Sequence, residues 1–136
     1  MADGATPRPP MSAGLGRLWL MVTVDDVRRV ALGLPRTTEH LIRDRVKFRV
    51  KQLVYVAFSR DETLMGFAFP KEERQALVDS EPDKFLMPPA ADLRYHWVAV
   101  RTAALDVEEM TELVTDAWTM VVPKGVARDY FDGLGR

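Results

Sequence analysis

The chain has no cysteine. Disulfides, thiolate metal sites and a cysteine nucleophile are therefore excluded, and the composition fits a reducing cytoplasm. Histidine is nearly as scarce. His40 and His96 are the only two, too few for a multi-histidine metal site. No glycine-rich loop follows a strand pattern and opens a helix, so neither common nucleotide cradle is present. A G-x-S-x-G elbow and a histidine-containing triad are also missing. Long apolar runs are absent too: residues 18–22 are far too few to span a membrane and form no convincing signal peptide. Finally, there is no excess of one charge. Nineteen Lys and Arg against twenty Asp and Glu leave a net charge of −1, so any hold on a polyanion must come from uneven charge.

What is present is 136 residues, 47% apolar and 29% charged, which suits one soluble domain with its own core. The charge is indeed uneven. Between Arg43 and Arg60 there are six cations and one acid, Asp44; between Asp106 and Asp116 there are five acids and no base. The first of these stretches, RDRVKFRVKQLVYVAF, is the most informative in the chain. Arg43, Arg45, Lys47, Arg49 and Lys51 alternate with Val46, Phe48 and Val50. A strand projects successive side chains to opposite faces, so this pattern sets cations on one face and an apolar row on the other. Like charges in a row repel each other. Solvent screens such a row, or an anion occupies it.

In chain order, residues 1–22 read as a disordered tail, rich in proline and glycine, with Met11 and Met21 as alternative starts. Residues 23–136 read as a single domain. Thr23 to Asp26 forms a capping-box variant, followed by an apolar stripe at Val27, Val30, Ala31 and Leu34. Arg36 to Ile42 reads as a loop whose Glu39 and His40 are ordinary polar residues. Strands are expected over 46–50, 53–58 and 63–69, paired antiparallel because no crossover helix fits between them. A helix begins after Pro70, with Ala76, Leu77 and Phe85 facing inward. Leu93 to Arg101 reads as another strand, with His96 as a packing or hydrogen-bonding residue beside Trp97. The last main helix is capped by Asp106 with Glu109 completing the box, and presents Met110, Leu113, Val114, Ala117, Trp118 and Val121 to the sheet. A short helical tail follows over 126–131.

Several residues at the joins carry a resemblance. They are Leu34-Pro35, Phe48 to Lys51, Phe69 to Arg74, His96 to Val100, Asp116 to Trp118, and Pro123-Lys124. In this order the chain resembles the MmcQ/YjbR family of small bacterial proteins from about Val24 to Phe131. Family members usually carry glycine where His96 stands, and often a glycine in the Val50–Gln52 turn. The resemblance implies an α+β domain of CyaY-like (frataxin-like) topology: an antiparallel sheet of about four to five strands, with helices packed mainly on one face. It brings no cofactor and no catalytic residues, and the family is commonly labelled DNA-binding.

The sequence is therefore read as a cytoplasmic, non-enzymatic binding protein. Double-stranded DNA is the expected partner, and Arg43, Arg45, Lys47, Arg49 and Lys51 are the expected phosphate contacts. No metal, cofactor or membrane is expected. The alternative is a protein- or small-ligand-interaction domain that uses a free sheet face or edge. A third reading assigns iron binding to Asp106, Glu109, Glu112 and Asp116. Tyr55 and Tyr95 are candidates for base stacking, weighed against a role in the core.

Overall fold

A computed structural model describes residues 21–135. The proline-rich segment read as a tail, and the alternative start at Met11, lie outside the described residues. Val22 is buried, and its N–H donates to Thr102 O at 3.3 Å.

Helix α1 spans Val24–Ala31. Thr23 Oγ1 accepts from Asp26 N–H, and Asp26 Oδ2 accepts in turn from Thr23 N–H, so the expected capping box forms. Six strands then build one antiparallel sheet: β1 Thr37–Ile42, β2 Arg45–Val50, β3 Leu53–Phe58, β4 Leu64–Ala68, β5 Phe85–Leu86 and β6 Trp97–Arg101. Their spatial order is β1-β2-β3-β4-β6-β5. Helix α2, Lys71–Ser80, lies between β4 and β5 in the chain. Helices α3, Val107–Thr119, and α4, Lys124–Gly133, close it.

The alternation of β2 holds. Phe48 and Val50 are buried and meet Val56, Phe58, Met65, Phe67, Val98 and Val100 on one face of the sheet. Helix α3 covers that face with Met110, Val114, Ala117 and Trp118, and α1 adds Val24, Val27 and Ala31. Trp118 is fully buried. Its Nε1–H donates to Pro35 O at 2.8 Å, and its ring meets those of Tyr130 and Phe131 edge-on. Fully burying an aromatic of this size stabilises the fold by a few kcal/mol.

Three expectations change. Residues 37–42, read as a loop, form edge strand β1, joined to β2 by the two-residue turn Arg43-Asp44. Both turn residues have positive φ (53° and 65°), the twist a tight hairpin favours. The strand expected from Leu93 begins only at Trp97. In α2, Ala76 is exposed, and the one buried side chain is a cation, Arg74. Its guanidinium donates to the carbonyls of Leu93, Tyr95 and Trp97 at 2.8, 3.0 and 3.0 Å. A planar fork of donors thus fastens the approach to β6 onto the helix.

Candidate nucleic-acid interface

Side chains opposite to Phe48 and Val50 lie on the face that the helices leave open. Register places Arg45, Lys47 and Arg49 there, beside Ile42, His40 and Thr38 of β1 and Ala57 and Val54 of β3. Arg43 and Lys51 are not on the strand. They occupy the turns at its two ends, Lys51 with a φ of 53°. The five expected site residues therefore split into three on the face and two at the corners.

A bulge between Phe48 and Arg49 lets β3 carry one extra residue, Tyr55. Tyr55 turns into the core, fully buried, and bonds Thr37 Oγ1 at 2.7 Å. Burial pushes its phenol up to about 12 against that hydrogen bond. A base-stacking role for Tyr55 is thereby corrected: its ring is inaccessible. Tyr95 is half exposed.

The cations converge at one end of β2. Arg43, Arg45, Lys47 and Arg60, with Ile42, line a pocket of about 210 Å³ that has no acid in its wall. Arg60 Nε–H donates to Arg43 O at 3.2 Å, which ties the β3–β4 turn to the β1–β2 turn. Among the described residues, none of Arg43, Arg45, Lys47, Arg49 and Lys51 forms an ion pair. The Nε of Arg49 is shielded from solvent without a hydrogen-bond partner. Arg60 was visible in the charge count, but only the folded turns show that it joins the ladder.

A second feature lies on the same face. Trp97 spreads across Gly66 so closely that a Cβ there would sit 2.5 Å from the indole nitrogen. Glycine inside a strand signals such an approach. Beside the indole is a hollow of about 740 Å³, lined by Lys47, Gln52, Leu53, Val54, Ala68, Tyr95 and His96, and by Met120 and Val121 from the segment that follows α3. His96 Nδ1 accepts from Lys71 N–H at 3.0 Å. It thereby caps α2, whose N-cap Pro70 makes no side-chain cap bond.

Asp44 shares the β1–β2 turn with Arg43, and Glu72 Oε1 lies 3.8 Å from His96 Nδ1. Glu39 faces α1, where Arg28 grips it with two hydrogen bonds of 2.8 Å. That grip holds the Glu39 carboxyl below the usual range. His40, its chain neighbour, bonds Thr38 Oγ1 instead, at 2.9 Å. On α3, Asp106 Oδ1 caps Glu109 N–H at 2.8 Å, while Glu109 turns to Lys84 rather than closing a box. Among the described residues, no three His, Asp or Glu gather closely enough to hold a metal ion. No helix among them is long and apolar enough to cross a membrane.

The YjbR family model matches residues 32–120. The chain belongs to the YjbR family. Uncharacterized protein Rv2570 of Mycobacterium tuberculosis is 30% identical over 130 residues, covering 85% of this chain and all of the relative. Uncharacterized protein Mb2600 of Mycobacterium bovis matches to the same extent. Among solved structures, Deinococcus radiodurans protein DR2400, family-model domain DUF419, aligns with a TM-score of 0.66 at 24% identity, covering 77% of this chain and 82% of that one. The α+β fold is thus that of the YjbR/DUF419 family. The matched segment runs from the end of α1 through α3, so it contains the whole basic face, Gly66, Trp97 and Arg74.

Proposed function

We propose that this YjbR protein is a non-enzymatic, cytoplasmic binding protein whose open sheet face contacts the phosphate backbone of DNA. The observation that carries this is the cation cluster: four cations, without an ion pair among the described residues, around one small pocket whose described wall holds no acid. The fold gains nothing from gathering like charges, and an anion at that place would relieve their repulsion. Arg43, Arg45, Lys47, Arg49 and Lys51 supply the phosphate contacts, and Arg60 adds a sixth cation from the neighbouring turn. Such contacts position a nucleic acid without reading its sequence. The acids of α3 lie on the layer behind the sheet, so DNA approaching from the open side meets the basic surface first.

Fluorescence anisotropy with a labelled duplex of about 20 base pairs, across several salt concentrations, tests this. Five or six phosphate contacts give a log–log salt slope of roughly −5. Absence of binding at low salt, to the duplex and to its separated strands alike, removes the reading and leaves the ladder as a solvated face. The hollow beside Trp97 favours a second reading, a small-ligand or peptide site independent of nucleic acid. Capture of a partner that persists after nuclease treatment favours that second reading.

A further inference from the structure

The cation ladder and the hollow beside Trp97 are joined by one side chain. Lys47 lines both the cation pocket and the hollow. The hollow is walled mainly by apolar groups, Leu53, Val54, Met120 and Val121 among them, and no acid lines it. Its aromatic surface is held rigidly. Trp97 rests on Gly66, and its carbonyl is fastened by Arg74. Tyr95 also lines the hollow; Arg94 stacks on its ring, Cζ 4.8 Å from the centroid, and donates to its hydroxyl at 2.7 Å. One cation, Lys47, is thus in the wall of an apolar hollow and a second, Arg94, is carried on one of its aromatic residues. A paired base in a duplex cannot enter it, because its faces are covered by stacking neighbours. An unpaired base has a free π-face, and its flanking phosphates would meet Lys47 and Arg94.

We propose that the hollow takes unpaired bases of single-stranded DNA, stacked on Trp97 and Tyr95, with the ladder following the backbone. A positive groove combined with aromatic platforms is the physical recipe for binding single strands with little sequence preference. His96 adds a fixed donor. Its Nδ1 accepts from Lys71 N–H, so the neutral ring carries its proton on Nε2. This inference rests on the phosphate-binding reading above and narrows it from duplex to single strand.

The test compares one labelled strand of about 20 nucleotides, alone and annealed to its complement, by anisotropy at fixed salt with the full chain, while intrinsic tryptophan emission is followed. The expected result is about tenfold or greater preference for the single strand, with quenched emission on binding. In a Trp19→Phe background, Trp97→Phe should abolish that quench, because the one indole then left, Trp118, is buried away from this face. Tyr95→Ala, at a half-exposed position, and Gly66→Ala, which forces the indole off the sheet, should each reduce single-strand affinity and leave duplex affinity unchanged. Equal or tighter binding of the duplex overturns the inference while leaving the phosphate reading standing. So does a quench that survives Trp97→Phe in the Trp19→Phe background. Binding of neither form removes both. If Trp97→Phe does not fold, the wild-type strand preference together with Tyr95→Ala decides the matter.

Discussion

Strand β2 carries two chemistries on alternate residues. On its covered side Phe48 and Val50 are fully or nearly fully buried in the core they share with neighbouring strands. On its open side Arg45, Lys47 and Arg49 form no ion pair among the described residues. The covered side is tightly packed, so removing volume there leaves a cavity. The open side contributes repulsion, so removing charge there should leave the fold intact. One strand thus separates what holds the molecule together from what it is available to hold.

The sharpest way to break this contrast is on the covered side. Trp118→Ala should lower the unfolding free energy by about 3–5 kcal/mol, read from urea denaturation. A loss below about 1 kcal/mol would mean that the α3 face collapses around the gap and is not close-packed. On the open side, replacing Arg45, Lys47 and Arg49 together by Gln should weaken binding of all DNA sequences alike. On the order of 1 kcal/mol per contact gives about 100-fold for three. Their unfolding free energy should move by less than about 0.5 kcal/mol. Unchanged affinity would take the ladder out of the proposed interface, and a large stability loss would make it structural.

Two titrations probe the covered side more gently. The folded-state pKa of Tyr55, about 12, is raised above its ordinary value. The folded chain therefore keeps the phenol proton while the unfolded chain loses it. Stability is intact below about pH 10 and falls by on the order of 2 kcal/mol as pH rises toward 12. Tyr55→Phe should flatten that alkaline fall, and a wild-type curve without it would contradict the buried phenol. Glu39 runs the opposite way. Its folded pKa is depressed by Arg28, so its contribution is present above the ordinary glutamate range and is lost as pH falls through the folded value. The pair is partly exposed, and Glu39→Gln should remove an acid-dependent loss of under about 1 kcal/mol. Acid melting curves of the two proteins that never converge would count against the pair.

The periodic parts of the fold were legible in the sequence. The capping box of α1, the alternation of β2 and the stripe of α3 each follow from side-chain spacing, and all formed. The joins that carried the family resemblance also acquire reasons. Leu34-Pro35 and Trp118 meet through one hydrogen bond, and Arg74 at the end of the Phe69–Arg74 segment is the carbonyl clamp. Less legible was β1. Thr37 to Ile42 is an edge strand with polar residues on both faces and Leu41 exposed, so no alternation marks it. Its turn uses Arg43-Asp44 in place of the Asn-Gly signal. The late start of β6 reflects Arg74, which takes backbone carbonyls ahead of the strand, a long-range effect that local pattern does not carry. Of the candidate site, the ladder was readable as charge on alternate residues. The contributions of Arg60 and Gly66 depend on which turns and strands become neighbours.

The corner cations have a consequence for protein engineering. Arg43 and Lys51 hold a left-handed backbone, which a side chain adopts at an energetic disadvantage and glycine adopts freely. Glycine at either corner would ease the backbone and remove a charge in the same step. A library of this chain sorted only for heat resistance would therefore drift toward glycine at these two positions. If the proposed phosphate contacts hold, its most robust survivors would be the poorest at holding an anion, and selection would need a binding step to keep the corners basic.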